Sequence, residues 1–496
     1  MKLNFLFYSF CIYCFTFCSS ILFSQDRSLP VDTTVMTTHT IQIGGETVDY
    51  IATVGMQPVW DDKDEVVASL HYTYYQRTGI DKPQYRPILI SFNGGPGSAS
   101  VWMHIGYTGP RFLKIDEEGF PIQPFGLVDN PHSVLDVADI LFVNPVNTGY
   151  SRIVGDNVDR EKFFGVNADI RYLADWINTF MSRNNRWLSP KFLIGESYGT
   201  TRVAGLANEL QGRQWMYLNG VVLVSPTGLG IKRDGPVDIA NRIPYYAATA
   251  WYHNRLEDSL QQLDLYEVLE LAEAFAINDL LPALIPGGFI EEGKRKEMAR
   301  EMSRYSGISK EDYLDHNLDL GYHAFWKLLL KDEGMTVGRL DSRYKGLDRM
   351  NAGLRPDYNA ELTAWLQAFT PAINYYFSQE LDFVTDIKYN MFGPVHPWDR
   401  SNDNTGENLR QAMAINPFLN VMFQVGYYDG ATTYFNAKYT MWQMDPSGRL
   451  KDRLRFEGYR SGHMMYLRHE DLELSNRHLR DFILNSIPEE GQPAKY

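Results

Sequence analysis

The sequence predicts an α/β chain, a mostly parallel sheet with helices on both faces, entered through antiparallel strands and interrupted by a helical insertion. Three patterns carry this expectation. Short continuous runs such as Ile88-Leu89-Ile90-Ser91-Phe92, Ile140-Leu141-Phe142-Val143 and Val221-Val222-Leu223-Val224 alternate with helical stretches, as strands buried on both faces do. Across residues 228–394 these runs give way to long charged helical stretches. Sheet runs return at 419–425 and 453–456, with a closing helix near 472–485.

In chain order, residues 41–50 read as a hairpin and 66–75 as a further long strand. Strands follow at 87–92 and 140–143, a helix at about 167–182, a strand at 192–194 with a helix behind it, and a strand at 221–224. Within the insertion, 291–305 and 310–330 are expected to be helices. The expected organisation is a leader over 1–24, a first core segment over 25–227, a cap over 228–394 and a second core segment over 395–496. No internal repeat, low-complexity tract or flexible linker interrupts it.

With 496 residues, 44% hydrophobic and 14% aromatic, the chain can bury a large core. Its formal net charge of -14 disfavours nucleic acid and anionic membranes as partners, since both would repel it at long range. Met1-Lys2, an apolar run over 3–23 and then Ser24-Gln25-Asp26-Arg27 read as a secretory signal peptide. The competing reading is an uncleaved anchor, because about 20 apolar residues span a bilayer. Export implies the periplasm or the exterior, with no stable membrane partner once the leader is cut. Cys11, Cys14 and Cys18, all the cysteines of the sequence, lie in that leader. The mature chain is therefore expected to lack disulfides, a cysteine nucleophile, Cys-ligated zinc and iron–sulfur chemistry. The bulky Phe10 and Phe17 that precede Cys11 and Cys18 do not suit lipid attachment.

The most informative motif is Gly195-Glu196-Ser197-Tyr198-Gly199, between the run Lys191-Phe192-Leu193-Ile194 and a helical stretch. Its G-x-S-x-G spacing is that of a nucleophile elbow, a turn so sharp that Ser197 is strained, exposed and aimed at a pocket by the helix N-terminus. An ordinary Gly-bounded turn is the bland alternative. A serine hydroxyl needs a general base in reach and an acid to orient that base. Asp429 follows the returning strand within Gly426-Tyr427-Tyr428-Asp429-Gly430, and His463 follows the next within Gly462-His463-Met464. Ser, Asp and His in that order, each just beyond a strand, is the order of α/β-hydrolase triads. Taken alone, His463 would be a surface histidine and Asp429 a turn residue. Phe92-Asn93-Gly94-Gly95-Pro96-Gly97-Ser98 also follows a strand, and its glycines let backbone N–H groups approach a reacting carbonyl as an oxyanion hole requires. A phosphate loop would need a closing Lys-Ser/Thr that is missing here, and a plain tight turn remains open.

Asn93-Gly94-Gly95-Pro96-Gly97, Asn144-Pro145-Val146-Asn147-Thr148-Gly149-Tyr150-Ser151, the elbow, the Gly426-to-Asp429 segment and Gly462-His463-Met464 together resemble the serine carboxypeptidase (S10) family, in family order. Cap residues 244–253 and 337–343 further resemble its bacterial secreted branch. The resemblance implies Ser197 as nucleophile, His463 as base and Asp429 as its partner, with the oxyanion held by the N–H groups of Gly95 and Tyr198. It also implies a site for the substrate's terminal carboxylate made from Asn93, Gly94 and Glu196. A carboxyl facing another carboxylate must keep a proton, so Glu196 is expected to be raised and acidic conditions to favour peptidase action. The other reading of Glu196 is an exposed elbow residue.

Two departures from the family stand out. Tyr107 precedes Gly109-Pro110 where the family has a second glutamate, and a tyrosine donating to Glu196 would stabilise its ionised form. Ser98 and the Cys-free mature chain replace the family's usual cysteines. Trp102, Tyr107, Tyr245, Trp251 and Met464 are candidates for a side-chain pocket, with Tyr252 near them, although such aromatics are more often core. Residues 399–406 look like a poor calcium loop and read as a turn, and no metal or cofactor is implied. The expected activity is release of C-terminal residues from peptides. An esterase or acyltransferase with the same triad is the alternative, and a catalytically silent surface binding module the second.

Overall fold

The computed structural model describes residues 27–156 and 158–496, so the leader expectation lies outside the described residues. β1 (Thr33–Ile43) and β2 (Glu46–Trp60) form an antiparallel hairpin, and β3 (Val66–Arg77) extends it. Six strands follow: β4 (Ile88–Phe92), β5 (Asp139–Val143), β6 (Lys191–Glu196), β7 (Gly220–Val224), β8 (Asn420–Gly426) and β9 (Leu454–Tyr459). Among the described residues one sheet carries them in the order β1-β2-β3-β5-β4-β6-β7-β8-β9, and a two-residue strand at Arg152–Ile153 pairs with β3. β3 meets β5 antiparallel, and every later pairing is parallel. From β4 the chain runs to one side as β5 and returns to the other as β6. This reversal opens a crevice at the carboxyl ends of β4 and β6, where open α/β sheets place their ligands.

Every residue of β4, β5, β6 and β7 is buried, which explains their unbroken apolar runs. Alternate side chains serve different cores. Leu89, Ile140, Phe142, Ile194 and Val222 face one layer, and Ile90, Leu141, Leu193, Val221 and Leu223 face the other. The helices used below are α1 (Val101–Gly106), α2 (Val166–Arg183), α3 (Tyr198–Gly212), α4 (Pro236–Tyr252), α5 (Leu265–Phe275), α6 (Glu292–Ser306), α7 (Ala360–Tyr375), α8 (Thr405–Ile415), α9 (Tyr434–Met444) and α10 (His469–Asn485). α7 and α10 cover the first face, and α2, α3 and α8 the second. α4, α5 and α6 build a third core of their own, joined by Tyr434 and Phe435 of α9. Among the described residues no helix is long and apolar enough to cross a membrane.

The insertion differs from a purely helical cap in three ways. Residues 310–330 break into Lys310–Asp315 and Tyr322–Leu328, because Asn317 and Leu318 adopt left-handed backbone at φ 53° and 67°. Met335–Val337 and Lys345–Leu347 pair as a small antiparallel hairpin. α7 leaves the cap and buries Trp365, Phe369 and Ile373 against the main sheet.

A buried ion pair ties the second layer to the crevice. Arg202 of α3 meets Asp169 of α2 at 2.7 Å, both fully buried. Arg202 Nη1 also donates to the Asn93 carbonyl at 2.7 Å, and Tyr172 Oη donates to the other Asp169 oxygen at 3.1 Å. Removing one partner strands a buried charge, so Arg202→Met is expected to cost about 3–5 kcal/mol of stability. The double change Asp169→Asn with Arg202→Met should recover part of that loss. Denaturant midpoints measure both, and a single-variant cost below about 1 kcal/mol would show that the pair holds nothing.

Candidate active site

β6 ends at Glu196 and α3 starts at Tyr198, leaving Ser197 between them at φ 58° and ψ -126°. A non-glycine residue in this region costs about 1–3 kcal/mol unless its surroundings fix it. Here they do. Ser197 N–H donates to the Val224 carbonyl at 2.9 Å, and the Ser197 carbonyl accepts from both the N–H and the Oγ1 of Thr200. A Cβ on Gly195 would strike the Gly199 carbonyl, and one on Gly94 would strike the Tyr198 nitrogen. The Asn93-to-Gly97 loop is thus pressed against the first turn of α3, whose Tyr198 N–H has no acceptor within the helix.

The loops after β8 and β9 bring Asp429 and His463 together. Asp429 is fully buried, and its Oδ1 accepts the N–H groups of Ala431 and Thr432 at 2.8 and 3.1 Å. Its Oδ2 accepts the Thr432 hydroxyl and faces His463 Nδ1, each at 2.7 Å. Because a carboxylate oxygen accepts, His463 Nδ1 is the donor and Nε2 remains the ring's acceptor. The His463 backbone is held at both ends. Its N–H donates to the Leu340 carbonyl at 2.6 Å, and its carbonyl accepts the Ser225 hydroxyl at 2.7 Å. Burial pulls the imidazole down, but the charge and hydrogen bond of Asp429, helped by Glu196, leave it above its ordinary value.

A cavity of about 750 Å³ lies at this end of the sheet, lined by Gly94, Gly95, Glu196, Ser197, Tyr198 and His463. Trp102 and Met464 line it as well. Glu196 is buried, so it is not an exposed elbow residue. Its Oε1 accepts Asn93 Nδ2 at 3.0 Å, and its Oε2 accepts the Tyr466 hydroxyl in a short hydrogen bond. Burial raises its carboxyl to about 7 against the opposing pull of His463 and of these two donors. Asn93 is completely buried behind Glu196 rather than at the cavity surface.

Three of the pocket candidates lie elsewhere. Tyr107 is buried beneath Tyr466, the two rings stacked 4.8 Å apart at 6°, and its hydroxyl donates to Gln424 Oε1 at 2.9 Å. The Tyr466 ring fills the place beside the carboxylate, so Tyr107 does not donate to Glu196. Tyr245 is core, its hydroxyl accepting from Trp326 Nε1 at 2.8 Å behind Gly430. Trp251 points away, donating to the Leu263 carbonyl at 3.0 Å beneath the Arg460 guanidinium. Residues 399–404 form a turn-containing loop that leads into α8, and Asp399 and Asp403 accept N–H groups two residues on. Among the described residues, no group of three or more His, Cys, Asp or Glu side chains is placed to hold a metal.

Tyr466 and Thr432 were not singled out from sequence. Each sits three residues after a candidate loop residue, His463 and Asp429, a spacing that returns a hydroxyl to the same turn and is a usable signal.

Sheet order, elbow and crevice together define an α/β-hydrolase fold. Kex1(Δ)p, a prohormone-processing carboxypeptidase from Saccharomyces cerevisiae, shares the fold: TM-score 0.54 at 14% identity, covering 89% of this chain and 93% of the other. The family model for serine carboxypeptidase matches residues 58–274. "Serine carboxypeptidase-like 13" of Arabidopsis thaliana is 25% identical over 193 residues, 38% of this chain and 43% of the relative. "Serine carboxypeptidase S10 family member 1" of Dictyostelium discoideum is 25% identical over 210 residues, 41% and 46% of the two chains. The chain thus spans less than half the length of these curated relatives, both eukaryotic. Over the matched residues the chain is similar to the peptidase S10 serine carboxypeptidase family. The family model covers the elbow and the Asn93 loop but stops short of Asp429 and His463.

A carboxyl raised by burial favours the folded state only while protonated. That contribution is complete below the ordinary glutamate range and is lost as pH rises through about 7. Glu196→Gln keeps an acceptor for Asn93 and turns its amide N–H to the Tyr466 oxygen. Relative to this variant, the wild type is expected to lose about 3 kcal/mol of stability between pH 4.5 and 7.5. Denaturant unfolding at several pH values measures the difference, and parallel pH profiles would show that Glu196 carries no shift.

Proposed function

We propose that the chain is an exported serine carboxypeptidase, periplasmic or extracellular, that releases C-terminal residues from peptides. The observation that supports this most is Glu196, a buried carboxyl raised to about 7 in the wall of the cavity that also exposes Ser197 and His463. A protonated carboxyl there can donate to the terminal carboxylate of a peptide and so distinguish an exopeptidase site from an endopeptidase site. Residues 244–253 and 337–343 support the bacterial secreted branch.

In this reading His463 Nε2 takes the proton of Ser197 Oγ as the oxygen attacks the last peptide carbonyl. The oxyanion is held by the N–H groups of Gly95 and Tyr198, and Asp429 fixes the imidazole through Nδ1. Collapse expels the amine of the C-terminal residue, which receives the proton from His463. Water then adds to the acyl-Ser197 ester by the same proton route and frees the shortened peptide. Glu196 donates to the departing residue's carboxylate beside Gly94, while Asn93 fixes the orientation of Glu196 from behind.

The sign of the pH dependence follows from two groups. Ionisation of Glu196 above about 7 repels the substrate carboxylate, whereas protonation of His463 removes the base at low pH. KM for a free-acid peptide is expected to rise about tenfold per pH unit above 7, and Glu196→Gln should flatten that rise. Mass spectrometry of an unstructured peptide at pH 5 and pH 7.5 should show stepwise C-terminal loss, absent in Ser197→Ala and abolished when the terminus is amidated. Equal cleavage of free and amidated peptides would transfer the site to the esterase or acyltransferase reading.

A further inference from the structure

The cavity wall beyond Glu196 carries charge that peptide hydrolysis itself does not require. Arg233, Arg339 and Arg400 all line it. Among the described residues none of the three guanidinium groups has a carboxylate within ion-pair distance, and the Arg339 bond to Glu361 runs through its backbone N–H. Elsewhere the chain's arginines are widely paired, as in Arg202 with Asp169, Arg343 with Asp341, Arg255 with Asp332 and Arg480 with Asp136. Carboxylates are also plentiful in a chain of net charge -14. Three unmatched cations in one cavity of so acidic a protein mark a place built to meet negative charge.

Arg339 is the best fixed of the three. Its N–H donates to Glu361 Oε2 at 3.2 Å, and its carbonyl accepts the Gly430 N–H at 3.0 Å. It is therefore pinned between α7 and the loop that carries Asp429, with its side chain left to the cavity. Two acids share the wall. Glu196 is already engaged by Asn93 and Tyr466, and Asp403 Oδ1 accepts the N–H and hydroxyl of Thr405. Glu196 would also be occupied by the terminal carboxylate under the carboxypeptidase reading, on which this inference rests. The arginines remain for a second carboxylate on the same substrate.

We infer that the site selects peptides bearing an aspartate or glutamate side chain next to the scissile bond, read by Arg339 with Arg233 and Arg400. Guanidinium forks suit this task because they match carboxylates bidentately and stay charged at every working pH. Facing such a wall, a lysine side chain is repelled and a glutamine loses the charge.

The test uses N-acetylated peptides that differ in one residue, Glu, Gln or Lys, at the last or the second-last position. Two readouts are taken on the full chain: trimming by mass spectrometry, and protection of Ser197 from a fluorophosphonate probe. At one of the two positions Glu is expected to beat Gln at least tenfold in both readouts, with Lys weaker still, and the advantage should shrink steeply on raising salt from 50 to 500 mM. In Arg233→Gln/Arg339→Gln, folded by circular dichroism, the Glu-over-Gln ratio should fall below about threefold in both readouts. Arg400→Gln provides a second, milder variant. Equal handling of Glu and Gln, a Lys preference, or equal weakening of Glu and Gln peptides in the double variant would overturn the inference. The last result would mean that the arginines hold the terminal carboxylate. If peptides protect Ser197 but none is trimmed, the carboxypeptidase reading fails, and the Glu-to-Gln protection ratio still decides the selectivity.

Discussion

The left-handed backbone of Ser197 is the constraint around which the crevice is organised. Its cost of about 1–3 kcal/mol is met by structure that spans the whole sheet. The Ser197 N–H is tied to β7 through Val224, and Gly94 and Gly195 clear the volume that any side chain would occupy. From below, Arg202 holds the Asn93 carbonyl and is itself neutralised by Asp169 on α2. A buried guanidinium without that carboxylate would carry a desolvation penalty far above the elbow's strain. The elbow and the Asn93 loop are therefore one mechanical unit, clamped by a charge pair that never touches the cavity.

Charge is the second organising theme. Glu196 and His463 each act on the other's titration: the imidazole lowers the carboxyl, and the carboxyl raises the imidazole. Near neutral pH the charge of each group therefore depends on that of the other. An incoming C-terminal carboxylate would favour a neutral Glu196, because it repels the ionised form and hydrogen-bonds the neutral one. Under the carboxypeptidase reading, a bound terminal carboxylate and the protonated form of Glu196 then favour each other. Tyr466 and Asn93 limit how far burial can raise the carboxyl.

Much of this was legible in the sequence wherever local chemistry dictates the outcome. The apolar runs of β4, β5 and β7 reveal strands buried on both faces, and the G-x-S-x-G turn needs nothing beyond its own backbone crowding to be recognised. What failed was lateral information. Tyr107 looked like a partner for Glu196 because position along the chain does not show that another ring, Tyr466, lies between them. Tyr245 and Trp251 belong to an aromatic-rich cap, and the helical period of α4 does not say which of its faces meets the crevice rather than Trp326 or Leu263. The break in residues 310–330 depends on two left-handed residues, one of them Leu318, for which no propensity rule gives warning.

The insertion is also less separable than its sequence suggests. Leu340 accepts the N–H of His463, Arg339 accepts the N–H of Gly430, and Ser342 donates to the Tyr428 carbonyl. Gly462 lies so close to Asp341 and Leu340 that a side chain there has no room. Residues 339–342 are therefore the outer half of the loops that carry Asp429 and His463. Their own anchor is Glu361 of α7, whose two oxygens accept the N–H groups of Arg339 and Leu340. α7 in turn is rooted in the sheet core through Trp365, Phe369 and Ile373. A lid that swung away as a rigid body would carry the support of the histidine with it. Arg339 lines the same cavity as Ser197, so the stretch that presents a cation to the cavity is also the one whose Leu340 carbonyl holds the His463 N–H.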